Sequence, residues 1–354
     1  MIIEFHRRQD LDSDNTATYQ SVPLPFCFVG PRGVGKTSLL ASMYQEIKNR
    51  GVEGVYIDLH SDVGERTSTL LNNSHLDMLD MIEDTEMYQI VANMGLRGNT
   101  EEKTFEFIGE KTIRDTDILK CTNYKRFRFV YQFTDMPGGW YTTHDPKFKD
   151  QAKKQLEESF VSFLAIDTPA LMRGDASNER SNCSTRIKEW YDNALNTLKN
   201  NHHTVIIVLS RCEKFWKQKN EMRERLEKVY GSLIKKLVGN GIAVYLTWIK
   251  TLGGVEFSHY EAINSGDGRD KVARFMRTGD YKPENCATPL QLALQHGMAS
   301  AAHKIEVNFW DEIGIGIGEL ALKAAKTMAD DLRNNLHAGE EGTYYKYDKD
   351  PLLK

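Results

Sequence analysis

Long apolar runs are missing from this chain: nothing approaches the roughly 18 consecutive apolar residues that a membrane-spanning helix needs. The opening stretch MIIEFHRRQDLDSDN has no apolar segment behind a basic one, so it does not read as a secretory leader. Cysteine is scarce as well. The five residues Cys27, Cys121, Cys183, Cys212 and Cys286 form no CxxC pair, and their odd number fits free thiols in a reducing compartment better than a disulfide framework. Basic excess is also absent: 46 Lys and Arg stand against 50 Asp and Glu, with both signs interspersed. That balance gives no electrostatic footprint for nucleic acid. There is no internal repeat and no low-complexity tract. A soluble, cytoplasmic protein, with no membrane span and no nucleic-acid partner, is the expectation.

What the chain does have is alternation of strands and helices. VPLPFCFVG (22–30) reads as a buried strand, and Lys36 to Asn49 as a helix with Leu39, Leu40, Met43, Tyr44 and Ile47 at helical spacing. VYIDLH is a possible strand, followed by a helix over about 67–91. KTFEFIGEKT and YKRFRFVYQFTD show period-two alternation, which suggests a hairpin-like pair. A helix over 148–158, a strand over 160–167, a polar loop RGDASNERSN and a helix over 185–199 come next. TVIIVLS (204–210) is the clearest core strand, KNEMRERLEKVYGSLIKKLV a helix with a solvated charged face, and IAVYLTWIK (242–250) the last strand. Beyond about residue 287 the pattern is helical. Such a sequence predicts an α/β fold around a mostly parallel sheet, with an insertion at about 51–100 after the first helix. A polar lead-in covers 1–21, the main domain 22–286, a C-terminal helical extension 287–338 and a flexible tail 339–354.

Between the first strand and first helix, Gly30, Gly35, Lys36 and Thr37 satisfy GxxxxGK[ST]. The glycines, with Gly33, let the backbone curl so that successive N–H groups face phosphate oxygens, and the helix adds its positive N-terminus where Ser38 lies. Lys36 is then placed for the terminal phosphates and the Thr37 hydroxyl for Mg2+. Downstream, Asp135 ends a strand and opens DMPG, a DxxG pattern: the carboxylate suits the Mg2+ shell and the Gly138 N–H a γ-phosphate.

The order GPRGVGKTS, DMPGG, VLSRCEKF and IKTLGG resembles the TRAFAC class of P-loop GTPases, over roughly residues 22–260. The wording FVGPRGVGKTSLLASMY and the long insertion look most like prokaryotic GTPase domains of conflict and defence systems. That resemblance implies a Ras-like three-layer sandwich: a six-stranded, mostly parallel sheet, helices on both faces, and GTP or GDP with Mg2+ at the C-terminal edge of the strands. Where such proteins carry NKxD, this chain reads Ser210, Arg211, Cys212, Glu213. Arg211 offers a long cationic stem for a base and Glu213 a carboxylate for the guanine edge, although the specified letters differ. Thr251 to Gly254 stand where the family has a base-contacting loop, and a plain turn fits equally.

Two departures concern hydrolysis. Arg32 replaces a glycine inside the loop, either as a built-in arginine finger or paired to a carboxylate outside the site. Gly139 and Trp140 follow DxxG in place of a water-positioning glutamine. The switch threonine is open among Thr100, Thr104, Thr112 and Thr116, with Thr100 preferred. A guanine-nucleotide switch with slow or partner-stimulated hydrolysis is the leading expectation; a P-loop ATPase and a non-hydrolysing scaffold are the alternatives. Trp140, Tyr141 and His144 are read as local packing or a partner surface. His202 and His203 are read as turn residues, not metal ligands. Ile313, Ile317, Leu320, Ala324, Met328 and Leu332 form an apolar stripe that packs on the main domain or on a partner chain, with Gly314, Gly316 and Gly318 allowing close approach.

Overall fold

The structure is a computed structural model, and it describes residues 6–8, 19–50, 55–57, 59, 61–91, 101–116, 122–141, 145–262, 271–308, 315–337 and 343–347. In chain order the elements are β1 (His6–Arg8), β2 (Tyr19–Val29), α1 (Lys36–Arg50), β3 (Val55–Tyr56), α2 (Asp62–Glu83), β4 (Lys103–Thr116), β5 (Thr122–Asp135) and α3 (Pro146–Glu158). They continue as β6 (Val161–Asp167), α4 (Thr168–Arg173), α5 (Asp175–Asn182), α6 (Ser184–Asn200), β7 (Thr204–Ser210), α7 (Lys219–Gly239) and β8 (Ala243–Trp248). Last come β9 (Val255–Ala262), β10 (Lys271–Arg277), α8 (Ala287–Asn308), α9 (Ile315–His337) and β11 (Tyr344–Tyr347).

Among the described residues the main sheet runs β11-β8-β7-β6-β2-β5-β4-β3, with β1 added beside the start of β2. Strands β8, β7, β6, β2 and β5 are mutually parallel, while β4, β3, β1 and β11 pair antiparallel. This is an α/β architecture with a mostly parallel sheet. Every residue of β6 (VSFLAID) and β7 (TVIIVLS) is buried, as strands covered on both faces require. In β5, by contrast, Phe127, Phe129, Tyr131 and Phe133 alternate with residues outside the core.

Helices cover both faces. One layer, with residues from α1, α2, α8 and α9, packs on Val22, Leu24, Phe26 and Phe28 of β2 and on the aromatic face of β5. The other, with residues from α3, α6 and α7, packs on Cys27, Val29, Leu164, Ile166, Val205 and Ile207. The first layer is anchored by rings: Phe26 meets Phe133 edge-on at 4.9 Å between centroids, and Phe28 stacks on Phe163 at 4.7 Å. Each such side chain contributes about 1.5–3 kcal/mol by leaving water. In α7 the buried residues Met222, Leu226, Tyr230, Leu233, Ile234 and Leu237 keep helical spacing, while Arg225 turns in to donate to Leu171 O at 3.0 Å.

Several boundaries differ from the sequence reading. The polar segment expected as a loop holds α5, whose Asn182 and Asn178 turn inward and bond each other. Strand β8 is not the last, because the β9–β10 hairpin follows it. Part of the expected tail is β11, whose pairing with β8 closes one edge of the sheet. The apolar stripe of α9 lies against the sheet through Ala324, Met328 and Leu332, with Met328 reaching the Tyr131 hydroxyl; Ile313 and Gly314 lie outside the described residues.

Cys27, Cys212 and Cys286 are free and buried, and Cys183 is free and half-buried. Burial pushes the Cys27 and Cys212 thiols up to about 12. Among the described residues no helix is long and apolar enough to cross a membrane.

His203 is a buried structural residue: Nδ1 lies 2.8 Å from Ser159 O and Nε2 2.8 Å from Ser162 Oγ. Burial lowers its pKa from 6.5 to about 4, so the ring is neutral in the fold. The unfolded chain takes up a proton first as pH falls, so this stability is complete above 6.5 and disappears on the way down to 4. Between about pH 7.5 and about pH 5 the expected loss is about 2 kcal/mol. His296, also lowered to about 4, adds in the same direction. Urea denaturation at the two pH values checks this, and His203→Gln is expected to remove about 2 kcal/mol of the pH dependence.

Candidate functional site

The glycine loop leaves β2 and enters α1 at the C-terminal edge of the parallel strands. Its turns are made by Gly30, Gly33 and Gly35, with φ of 150°, 84° and 94°, a region that side chains with a Cβ rarely adopt. Helix α1 starts at Lys36, and its first-turn N–H groups have no partner four residues back in the helix, which leaves a positive terminus in the loop.

Lys36 is buried, and its ammonium donates to the carbonyl oxygens of Gly30 (2.9 Å) and Pro31 (3.2 Å). Burial lowers its pKa, and the nearby Asp135 carboxylate opposes that shift. Thr37 Oγ1 donates to Asp135 Oδ2 at 2.7 Å, which links the first turn of α1 to the end of β5. Burial raises the Asp135 pKa, against the pull of Lys36, the Thr37 hydrogen bond and Lys103. These oxygen donors suit a hard divalent cation such as Mg2+, which takes one or two protein ligands and fills the rest of its octahedron with water and phosphate. Among the described residues no group of three or more His, Cys, Asp or Glu gathers at a metal-binding geometry.

Behind Asp135 the chain makes a 3-10 turn over Gly138–Tyr141. A Cβ on Gly138 would lie 2.5 Å from Pro31 C and closer still to Arg32 N and Cα. The DMPGG segment therefore rests directly on the glycine loop. Ser210, at the end of β7, supports the loop from the other side: its hydroxyl lies 2.7 Å from Val34 O and 3.1 Å from Ile166 O. Trp140 and Tyr141 are core residues: Trp140 stacks on Phe148 at 5.3 Å, and the Tyr141 hydroxyl donates to Phe28 O at 2.9 Å. The packing alternative therefore holds for both, and His144 lies outside the described residues.

Arg32 projects from the loop into solvent, and among the described residues no carboxylate pairs with it. Ser38 sits half-buried in the first turn of α1. Thr100 lies outside the described residues, whereas Thr104, Thr112 and Thr116 fall within β4.

Arg211 and Glu213 follow Ser210 beyond the end of β7. Glu213 Oε1 accepts from the backbone N–H of Leu252 (3.4 Å) and Gly253 (3.3 Å), and burial raises its pKa, moderated by those N–H groups and Arg211. The Leu252–Gly254 loop is in turn stitched to the exit of β10: Lys282 N donates to Leu252 O at 2.9 Å and Thr278 N to Gly254 O at 2.8 Å. Arg211 has a left-handed backbone (φ 58°), and Nη1 pairs with Asp167 Oδ1 at 3.0 Å.

The sequence reading missed Asp167, Tyr260 and Phe275. Asp167 shares with Asp135 only its place at the end of a strand, without the DxxG pattern that follows Asp135. The two aromatic residues come from a hairpin that was not foreseen. Comparison with family models and with curated proteins gives no match for this chain.

Proposed function

We propose that the chain is a guanine-nucleotide-binding switch of the P-loop, Ras-like kind, with intrinsically slow hydrolysis. The observation that carries the reading is the Lys36–Thr37–Asp135 set at the mouth of the glycine loop, with Lys36 and Asp135 buried. The strand order β8-β7-β6-β2-β5-β4 with helices on both faces supports it, because open α/β sheets bind ligands beyond the carboxyl ends of their strands.

Phosphate oxygens entering the loop take the N–H groups of the α1 terminus and draw the Lys36 ammonium from the carbonyls of Gly30 and Pro31. Their negative charge favours the protonated amine that burial disfavours. Thr37 and Asp135 would hold Mg2+, which when bound neutralises charge on the terminal phosphates. Gly138, packed against the backbone of the loop, would offer its N–H to a γ-phosphate and report its loss. Guanine would be read at the Glu213 end, its N–H donors turning to the carboxylate that in the free protein accepts from the Leu252 and Gly253 N–H groups. Slow turnover follows from the DMPGG segment, where Gly139 has no side chain and Trp140 is packed on Phe148, so neither orients a water. Unassisted hydrolysis in such proteins runs on the order of 10^-4 per second, and an arginine finger contributes about 10^3 to 10^5. Exposed Arg32 would either act in cis or leave that role to a protein partner. The buried free thiols fit a reducing cytoplasm.

Calorimetric titration of GTP, GDP and ATP with Mg2+ tests the reading. GTP and GDP are expected to bind and ATP to bind more weakly; tighter ATP binding would overturn the guanine assignment. Phosphate release over hours, compared with the Lys36→Ala variant, separates a slow GTPase from a scaffold. A rate equal in both assigns the chain to the scaffold class.

A further inference from the structure

Asp167 sits at the carboxyl end of β6, between the glycine loop and the Glu213 end, and its side chain is 3% exposed. Its backbone is locked: the N–H donates to Asn182 Oδ1 at 2.8 Å, and Asn182 Nδ2 returns a bond to Asp167 O at 3.2 Å. Both carboxylate oxygens are engaged. Oδ1 accepts from Arg211 Nη1 at 3.0 Å and Oδ2 from the Tyr260 hydroxyl at 2.6 Å. The Arg211 guanidinium also lies 5.1 Å from the centroid of the Phe275 ring, and Arg173 lies over Tyr260 at 5.5 Å. Tyr260 belongs to β9 and Phe275 to β10, so the hairpin is fastened onto the end of β6 and β7 by these contacts.

Stability alone does not account for this arrangement. A buried ion pair gains little over apolar packing once desolvation is included, and the left-handed backbone of Arg211 costs energy. What the cluster does achieve is a single fixed orientation for a planar cation two residues from Glu213. Resting on the guanine-nucleotide reading, we infer that Asp167, helped by Tyr260, is a positioning residue for the base: it holds Arg211 against Phe275 as one wall of the base pocket. The β9–β10 hairpin is thereby part of the nucleotide site.

The test compares GDP with inorganic tripolyphosphate on the full chain, by calorimetry, for wild type, Asp167→Asn and Tyr260→Phe. Tripolyphosphate engages only the glycine loop. Asp167→Asn is expected to weaken GDP about tenfold and Tyr260→Phe about threefold, with tripolyphosphate unchanged in both. Tyr260→Phe keeps the ring and removes only the hydroxyl, so it carries the test if Asp167→Asn does not fold. GDP affinity unchanged in the folded variants, or GDP and tripolyphosphate weakened equally, overturns the positioning role and leaves the nucleotide reading in place. A wild-type chain that binds neither ligand overturns both.

Discussion

Lys36→Ala should abolish nucleotide binding at ordinary concentrations, weakening GTP by about 100-fold or more, while moving the stability of the free protein by no more than about 2 kcal/mol. The two halves of this expectation come from the same geometry. In the free protein the ammonium is buried against the carbonyls of Gly30 and Pro31, and burial lowers its pKa, so the native state gains little from this charge. Its removal takes a cation from beside Asp135, whose pKa is already raised by burial and whose Thr37 hydrogen bond remains. With phosphate present the balance changes. The ammonium then supplies charge-assisted hydrogen bonds where water is excluded, whereas Arg32, the other cation of the loop, is exposed. Melting curves of the free variant and a GTP titration check both halves. A large destabilisation with GTP affinity retained would mean that Lys36 is a structural cation and would remove the observation on which the function rests.

Much of the scaffold of this site was legible in the chain because its signals are local. GPRGVGKTS needs glycines at the positions where the loop has positive φ, and buried β7 could hardly be anything but a central strand. Asp135 is legible because it ends a strand and opens DMPG, a DxxG pattern downstream of the glycine loop. The β4–β5 pairing followed from period-two alternation, and the register runs unbroken from Lys103↔Asp135 to Thr116↔Thr122. What escaped notice depends on contacts distant in sequence. Nothing in VEFSHYEA or KVARFMR says that Tyr260 and Phe275 meet Asp167 and Arg211; only the path of the hairpin does. RGDASNERSN reads as a loop on composition, yet Asn178 and Asn182 find buried partners that offset their poor helix propensity. The tail is polar enough to seem mobile, but Tyr347 lies in the core beside β8.

Gly138→Ala is the second change expected to have a large effect, and its neighbour provides the control. A methyl group at Gly138 would meet backbone atoms of Pro31 and Arg32, which cannot move aside as a flexible side chain would. At Gly139 the same methyl meets no atom within 4 Å. Overpacking of this kind costs about 1–3 kcal/mol, whereas Gly139→Ala should stay within about 0.5 kcal/mol. The binding consequence is more diagnostic than the stability one. Relief of the clash must move either the DMPGG segment away from the loop or the loop away from α1. If the segment is the γ-phosphate sensor, the first movement is the cheaper, since it leaves the Lys36 and Thr37 anchors in place. Gly138→Ala should then lose GTP affinity by about tenfold or more and keep GDP affinity nearly intact, which collapses any preference for the triphosphate. Gly139→Ala should bind both as wild type does. Equal weakening of GTP and GDP by Gly138→Ala would mean that the contact supports the phosphate loop as a whole, and the sensing role would pass to a segment other than DMPGG.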